Sequence, residues 1–242
     1  MSLPSAVVFD LDDTLHDTRA IEQVMLVELA AAVREELPAA GEDELVARFR
    51  DGRDALYEKL LHGEWDLETY RREHMRVTLE PWGEPSEALI ARTLELRAAQ
   101  LSEARFIEHA VELLAALRAA GVRTTLLTNG PSDMQRRKVE LLGLEEHIDA
   151  IGISEELGHA KPAPQSYLGA LALIDADPAE AMMVGDHLAW DVQGALDAGL
   201  RGAVWMSREP EDTREPPPGA VRVGHLSEVP GALERLVAQS AP

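Results

Sequence analysis

The sequence predicts an α/β protein: a three-layer core built on a parallel sheet, interrupted by an inserted all-helical domain. Three observations carry that prediction. Short apolar runs of strand length recur along the chain, and amphipathic stretches with helical spacing lie between them. Such alternation builds a parallel sheet covered by helices on both faces. The interval from 16 to 105 breaks the alternation and holds helical patterns without a convincing strand. Carboxylates, hydroxyls and a lysine stand just after several apolar runs, and parallel strands deliver their C-terminal ends to one edge of a sheet.

The elements follow in order. Ala6-Val7-Val8-Phe9 reads as a short buried strand. Ile21, Val24, Met25, Leu29, Ala32 and Val33 then keep a helical period, and Pro38 to Gly41 closes that helix. Further helices are expected over Glu44 to Leu61, Leu67 to Leu79 and Glu87 to Leu101. Ala110 to Ala120 places Val111, Leu114 and Leu117 on one face and stops at Gly121. Strands are then expected at Val122 to Leu127, Ala150 to Ile153, Ala181 to Val184 and Ala203 to Met206, with a sixth at Val221 to Val223. Helices at Gln135 to Leu142, Tyr167 to Ile174 and Val192 to Ala198 separate them. Glu209 to Gly219, rich in Pro, Glu and Asp, reads as an exposed loop. The expected division is a core of residues 1–15 and 106–242 with a helical domain of 16–105.

Composition narrows the function. The 242 residues contain no cysteine, which excludes a disulfide framework and a thiolate zinc site and fits a reducing cytoplasm. Met1 to Ser5 carries neither the basic patch nor the apolar stretch of a signal peptide. No run approaches the ~18 apolar residues of a membrane helix. A net charge of −21 repels nucleic-acid backbones and anionic membranes, so neither is an expected partner. Lysine occurs only as Lys59, Lys138 and Lys161, the rest of the basic side chains being arginine.

Four clusters at strand ends carry the chemistry. Asp10-Leu11-Asp12-Asp13-Thr14 follows the first strand. A carboxylate there can attack an electrophile or hold a metal, and a second can shuttle protons. The bland alternative is a capping turn. Thr128-Asn129-Gly130 offers a hydroxyl and backbone N–H groups to a phosphate, or is an ordinary turn. Lys161-Pro162 is a charge beside a helix start, or a solvated lysine before a Pro-initiated helix. Gly185-Asp186 with Asp191 repeats the pattern of strand, tight turn and carboxylate, although Asp191 alone reads equally as an N-cap. Together, carboxylates packed at one edge raise one another's pKa values, and Mg²⁺ is the natural cation for oxygen ligands and a phosphate substrate.

The order of these motifs resembles the haloacid dehalogenase superfamily in its Mg²⁺-dependent phosphatase branch. The matching residues are DxDxT (Asp10, Asp12, Thr14), Thr128, Lys161-Pro162 and GDxxxxD (Gly185, Asp186, Asp191). The resemblance implies a Rossmann-like three-layer core with an inserted C1-type cap, and the local sequences look most like small-metabolite phosphatases and 5′-nucleotidases. It also implies roles. Asp10 would be the nucleophile and form an aspartyl-phosphate. Asp12 would act as acid, then base. Asp10, the Asp12 backbone carbonyl and Asp186 would hold Mg²⁺, with Asp191 acting directly or through water. Thr128, the Asn129 amide and Lys161 would bind the phosphoryl group.

The expected reaction is hydrolysis of a small-molecule phosphate monoester: a nucleoside monophosphate, a sugar phosphate or phosphoglycolate. A phosphomutase would share all four motifs. The superfamily's dehalogenases lack the second aspartate, so Asp12 argues against that activity. A phospho-accepting receiver domain is shorter, lacks a helical insert and accepts phosphate on its third strand, which here ends at Ile153-Ser154-Glu155. In the cap, Arg53, His62, Arg71, Arg72, His74 and Arg76 are candidates for reading the leaving group, with Arg72 and Arg76 sharing an i, i+4 face. The competing reading is a solvated face paired with Glu64, Glu68 and Glu73. Tyr57, Trp65 and Trp82 either stack a base or serve the core. Asp13, His16 and His187 receive no catalytic role. The expected assembly is a monomer or homodimer.

Overall fold

The computed structural model describes residues 3–61, 63–100, 102–209 and 212–239, without the side chains of residues 53, 54 and 61. The chain divides into two compact units, Met1–Asp17 with Ala104–Pro242 and Thr18–Glu103.

The first unit is an α/β sandwich. Six strands, β1 (Ala6–Phe9), β2 (Arg123–Thr128), β3 (Ala150–Ile153), β4 (Ala181–Gly185), β5 (Gly202–Met206) and β6 (Ala220–Val223), form one parallel sheet in the order β3-β2-β1-β4-β5-β6. β1 and β4 are buried along their whole length, which accounts for their unbroken apolar sequences. Alternate residues feed two cores. Val7, Phe9, Leu126, Val184 and Val204 pack with Leu113, Leu114, Leu233 and Leu236. Ala6, Val8, Leu127, Met183 and Trp205 pack with Tyr167, Leu171, Val192 and Ala195 on the other face. The strand order reverses between β1 and β4, and ligands of open α/β sheets bind beyond the carboxyl ends at such a switch point.

Four helices build the second unit: α1 (Thr18–Glu36), α2 (Glu42–Leu61), α3 (Leu67–Leu79) and α4 (Glu87–Gln100). Met25, Leu26, Leu29 and Val33 of α1 meet Leu45, Phe49, Met75, Leu79, Ile90 and Leu96 in their own core. Asp66 caps α3 by accepting from the Thr69 N–H at 2.7 Å. Glu36, at the end of α1, accepts from the N–H of Ser86 at 2.7 Å and from its hydroxyl at 2.6 Å, tying two helix ends together.

In the first unit the helices are α5 (Ala110–Ala119), α6 (Ser132–Leu142), the short α7 (Ser154–Leu157), α8 (Pro164–Ala172), α9 (Gly194–Asp197) and α10 (Val229–Gln239). A regular helix is expected over Val192 to Ala198. The structure has α9 within that range, entered from a π-helical turn at Leu188–Gln193 that the sequence did not predict. No helix among the described residues is long and apolar enough to cross a membrane.

Candidate active site

Strand register places the first motif. Phe9 pairs with Leu126 on one side and Val184 on the other, and the Asp10 N–H donates to the Val184 carbonyl at 2.9 Å. Asp10 thus leaves the sheet between Thr128 and Gly185. It is buried, and its Oδ1 accepts from Lys161 Nζ at 2.6 Å. The same ammonium donates to Asp191 Oδ1 at 2.6 Å. One carboxylate oxygen each from Asp10, Asp186 and Asp191 lies within 4.8 Å of the others. Burial pushes the Asp10 carboxyl up to about 7, with Asp191 and Asp12 adding to the rise and Lys161 opposing it. Burial works against the Lys161 charge, but Asp10 and Asp191 outweigh it and hold the ammonium well above its ordinary range. Three oxygen donors crowded at a buried position fit a hard divalent cation, which relieves their mutual repulsion.

Asp191 reaches this cluster because the chain folds tightly beneath it. A Cβ on Gly185 would lie 2.3 Å from Asp191 Cγ, so only glycine lets the carboxylate sit over the end of β4. Asp191 Oδ2 accepts from the His187 N–H at 2.8 Å. Asp191 therefore closes its own π-helical turn and is not an N-cap of α9. Tyr167 supports the turn by donating to the Trp190 carbonyl, and its hydroxyl occupies the space a Cβ on Gly194 would need. Single π-turns of this kind concentrate at functional sites.

Asp12 is half-buried, and its carboxylate faces three nitrogen donors. Lys138 Nζ donates to Oδ1 at 2.8 Å and Oδ2 at 2.7 Å. His16 Nδ1 lies 3.2 Å from Oδ1 and Gln135 Nε2 lies 3.3 Å from Oδ2. Burial raises the Asp12 pKa, but Lys138 and His16 outweigh it and hold the group well below the ordinary carboxylate range. The loop that presents Asp12 is rigid. Asp13 adopts φ 59°, and the N–H groups of Leu15 and His16 both donate to the Leu11 carbonyl, at 3.0 and 2.8 Å. Arg208 clamps the loop from below through Asp13 at 3.1 Å and Asp17 at 3.0 Å.

At the end of β2, the Thr128 hydroxyl accepts from Gln135 Nε2 at 2.7 Å. The Asn129 side chain donates to the Lys161 carbonyl at 2.9 Å and accepts from its N–H at 2.8 Å. This reciprocal pair fixes the backbone that carries Lys161. The Gly130 N–H donates to Ser154 Oγ at 2.9 Å.

Sequence reasoning named every carboxylate of this site together with Thr128, Asn129 and Lys161. It missed Lys138 and Gln135. Their spacing of three on α6 puts both on one helix face. The available signal was Lys138 itself, one of only three lysines in an arginine-rich chain. In the helical unit, Arg72 and Arg76 converge on Glu87. Arg76 also bonds Glu73 at 3.0 Å and reaches Glu87 at 2.7 Å, while Arg72 bonds the other Glu87 oxygen. His74 is fully buried between the Phe49 carbonyl at 2.6 Å and Arg97 at 2.9 Å, a structural position. Arg97, which sequence reasoning did not single out, lies over Phe49 with its centre 5.2 Å from the ring, close enough to Arg71 for their charges to oppose. Tyr57 meets Tyr70 edge-on at 5.9 Å, Lys59 sits over Trp65 at 4.2 Å, and Trp82 packs on the helical core. The Arg53 side chain, His62 and Leu101 lie outside the described residues. His187 stacks on Trp190 at 4.2 Å.

Sheet order, switch-point position and clustered carboxylates define an α/β core with a candidate active site at its switch point. The family model for haloacid dehalogenase-like hydrolase matches residues 4–199, and the chain belongs to that family. It is similar to phosphoserine phosphatase of Thermus thermophilus, 34% identical over 92% of this chain and 96% of that one. It is also similar to human N-acylneuraminate-9-phosphatase, 28% identical over 86% of this chain and 84% of the relative. A magnesium-bound HAD-hydrolase of Bacillus subtilis shares the fold with a TM-score of 0.74 at 21% identity, over 96% of this chain and 99% of that one.

Proposed function

We propose that the protein is a Mg²⁺-dependent phosphatase that hydrolyses a small-molecule phosphate monoester through an aspartyl-phosphate on Asp10. The observation that carries this reading is the cluster of Asp10, Asp186 and Asp191, with Lys161 bonded to Asp10 and Asp191 and a second carboxylate, Asp12, two residues from Asp10. Asp10 is buried against Lys161 and the cation-suited cluster, and Asp12 stands apart in its own cradle of donors.

The chemistry follows from the positions. Asp10 Oδ attacks phosphorus as the bond from phosphorus to the leaving oxygen breaks, and Asp12 gives that oxygen its proton. Water then attacks the phosphorus, Asp12 takes the water's proton, and Asp10 is released as a carboxylate. Lys161 offsets charge on Asp10 and the phosphoryl oxygens. Thr128, held by Gln135, and the backbone N–H of Asn129 receive two phosphoryl oxygens. Asp10, Asp186, Asp191 and the Asp12 carbonyl would hold Mg²⁺, which when bound neutralises charge on the transferring phosphoryl group.

Phosphoserine and N-acylneuraminate 9-phosphate, the substrates in the names of two relatives, are both small phosphate monoesters whose leaving group carries a carboxylate. They lead a panel that also contains nucleoside monophosphates, sugar phosphates and phosphoglycolate. The helical insert Thr18–Glu103 follows directly on the loop that carries Asp10 and Asp12, and we assign it the selection of the leaving group, as a cap. Within it, Arg72 and Arg76 remain the candidates for an anionic substrate group, although both pair with the exposed Glu87. The test is phosphate release from an aryl phosphate and from this panel, with Mg²⁺ and with EDTA. Metal-dependent release that is lost in Asp10→Asn supports the reading. Release that survives both EDTA and Asp10→Asn overturns it.

A further inference from the structure

Among the described residues, two groups of side chains stand close enough to share a metal ion. One is the Asp10 cluster. The other is Glu108, His109 and His225, in the same α/β unit, and the proposed reaction gives it no task. One ligand atom from each of the three lies within 4.8 Å of the others. The Glu108 carboxylate faces both rings: Oε1 lies 3.6 Å from His109 Nε2, and Oε2 lies 3.7 Å from His225 Nε2. The rings meet edge-on with centroids 4.8 Å apart.

The scaffold under these side chains is fixed. Ala110 and Leu226, each next in sequence to one of the histidines, are fully buried in the same core. His109 opens α5, and His225 opens the single turn Leu226–Glu228 that leads into α10. A polar residue that opens a helix commonly turns its side chain back to cap it. The His109 ring makes no such bond. Its backbone adopts φ 67°, uncommon outside glycine, and its ring lies against Glu108 instead. His225 Nδ1 lies 2.8 Å from Ser227 Oγ. With the ring hydrogen on Nδ1 and donated to that hydroxyl, Nε2 carries the lone pair on the side of Glu108. Metal-binding histidines are held in this way, by a partner on the second ring nitrogen.

We propose that Glu108, His109 and His225 form a second metal site, for Zn²⁺, held by the two imidazoles and one carboxylate oxygen. Two imidazoles with a carboxylate are donors for a borderline ion such as Zn²⁺, whereas the all-oxygen Asp10 cluster suits Mg²⁺. Glu108 offsets part of the ion's charge, and a chain of net charge −21 draws cations to its surface. Glu108 is exposed and both rings are half-buried, so the ion can enter and keep water in its remaining position. Bound there, it ties the start of α5 to the connection between β6 and α10.

The test is calorimetric titration of untagged protein with ZnCl₂ in excess Mg²⁺. It compares the wild type with His109→Asn, His225→Ala, Glu108→Gln and Ser227→Ala. Asparagine is chosen because it tolerates the left-handed backbone at position 109. Zn²⁺ that enters the Asp10 cluster does so equally in every protein and cancels in the comparison. The wild type is expected to take up one Zn²⁺ per chain more than either histidine variant. Glu108→Gln is expected to bind that ion more weakly, and Ser227→Ala to lose about 10–100-fold in affinity. Thermal unfolding in EDTA establishes that each variant is folded. Should a histidine variant not fold, Glu108→Gln carries the comparison, because its side chain is 78% exposed. Uptake in the wild type equal to that in either histidine variant, or an affinity untouched by Glu108→Gln, overturns the proposal.

Discussion

At the scale of single residues, the site depends on how closely Asp191 approaches the backbone of β4. A methyl group on Gly185 would overlap that carboxylate at 2.3 Å and push it from the cluster it shares with Asp10 and Asp186. Gly185→Ala is expected to lower kcat/KM by about 100-fold, the cost of misplacing a catalytic group by about 1 Å. Steady-state kinetics with thermal unfolding separates this from lost folding. A second residue sets acid stability. Burial raises the Asp17 pKa, but Arg208 and Arg105 outweigh it and hold the carboxyl below its ordinary range. The folded state therefore binds this proton more weakly than the unfolded chain does. The gain in stability is present above the unfolded pKa of about 3.9 and is lost as pH falls through the folded value. The Tm gap between wild type and Asp17→Asn is expected to be full at neutral pH and to close below about pH 4. A gap that widens on acidification contradicts the assignment. Asp10, Asp12, Thr128 and Asp186 were legible in the sequence because each follows an apolar run directly, and Lys161 and Asp191 because they complete the same order of motifs. Lys138 was not, because no periodicity tells how far a side chain reaches from α6 across to another loop.

At the scale of elements, the strands were the clearest signal. β1, β4 and β5 are buried throughout, so their sequences are nearly pure apolar runs, whereas β6 is half-buried and read only weakly. The π-helical turn ahead of α9 was not legible, for a reason outside its own sequence. Asp191 closing onto the His187 N–H and Tyr167 bonding the Trp190 carbonyl stabilise a wider turn, and both are tertiary contacts. Removing the second is a direct probe. Tyr167→Phe removes the Tyr167 hydroxyl from the half-buried Trp190 carbonyl and is expected to cost about 1 kcal/mol in urea unfolding. No loss of stability would mean the turn is fixed by its local sequence. In the same way α6 starts at Ser132, before the expected Gln135, because Glu155 from the next segment accepts the Ser132 N–H at 2.7 Å.

At the scale of the whole molecule, the strand order brings sequence-distant motifs to one crevice, since β1 and β4 are neighbours with β2 and β3 on the far side of β1. The alternation of runs forecast such an edge, and the helical interval forecast an insert. A ligand for the arginines of the insert was not legible, because arginines on a helix read alike whether they meet a ligand or, as with Arg72 and Arg76, a glutamate. The charge of −21 makes the collected carboxylates costly without a cation. Mg²⁺ that binds only the folded state should stabilise it, by about 2.7 kcal/mol at a hundredfold excess over Kd. The corresponding rise in Tm is expected to vanish in Asp186→Asn, and a rise that persists there contradicts the proposed ligand set.

The central claim is that phosphate passes through Asp10, and acid quenching during turnover addresses it most directly. Enzyme mixed with excess substrate and Mg²⁺, then quenched and digested, is analysed by mass spectrometry. The account requires a phosphate adduct on the peptide containing Asp10, absent from Asp10→Asn. Turnover with no adduct, or with the adduct on another residue, would contradict it.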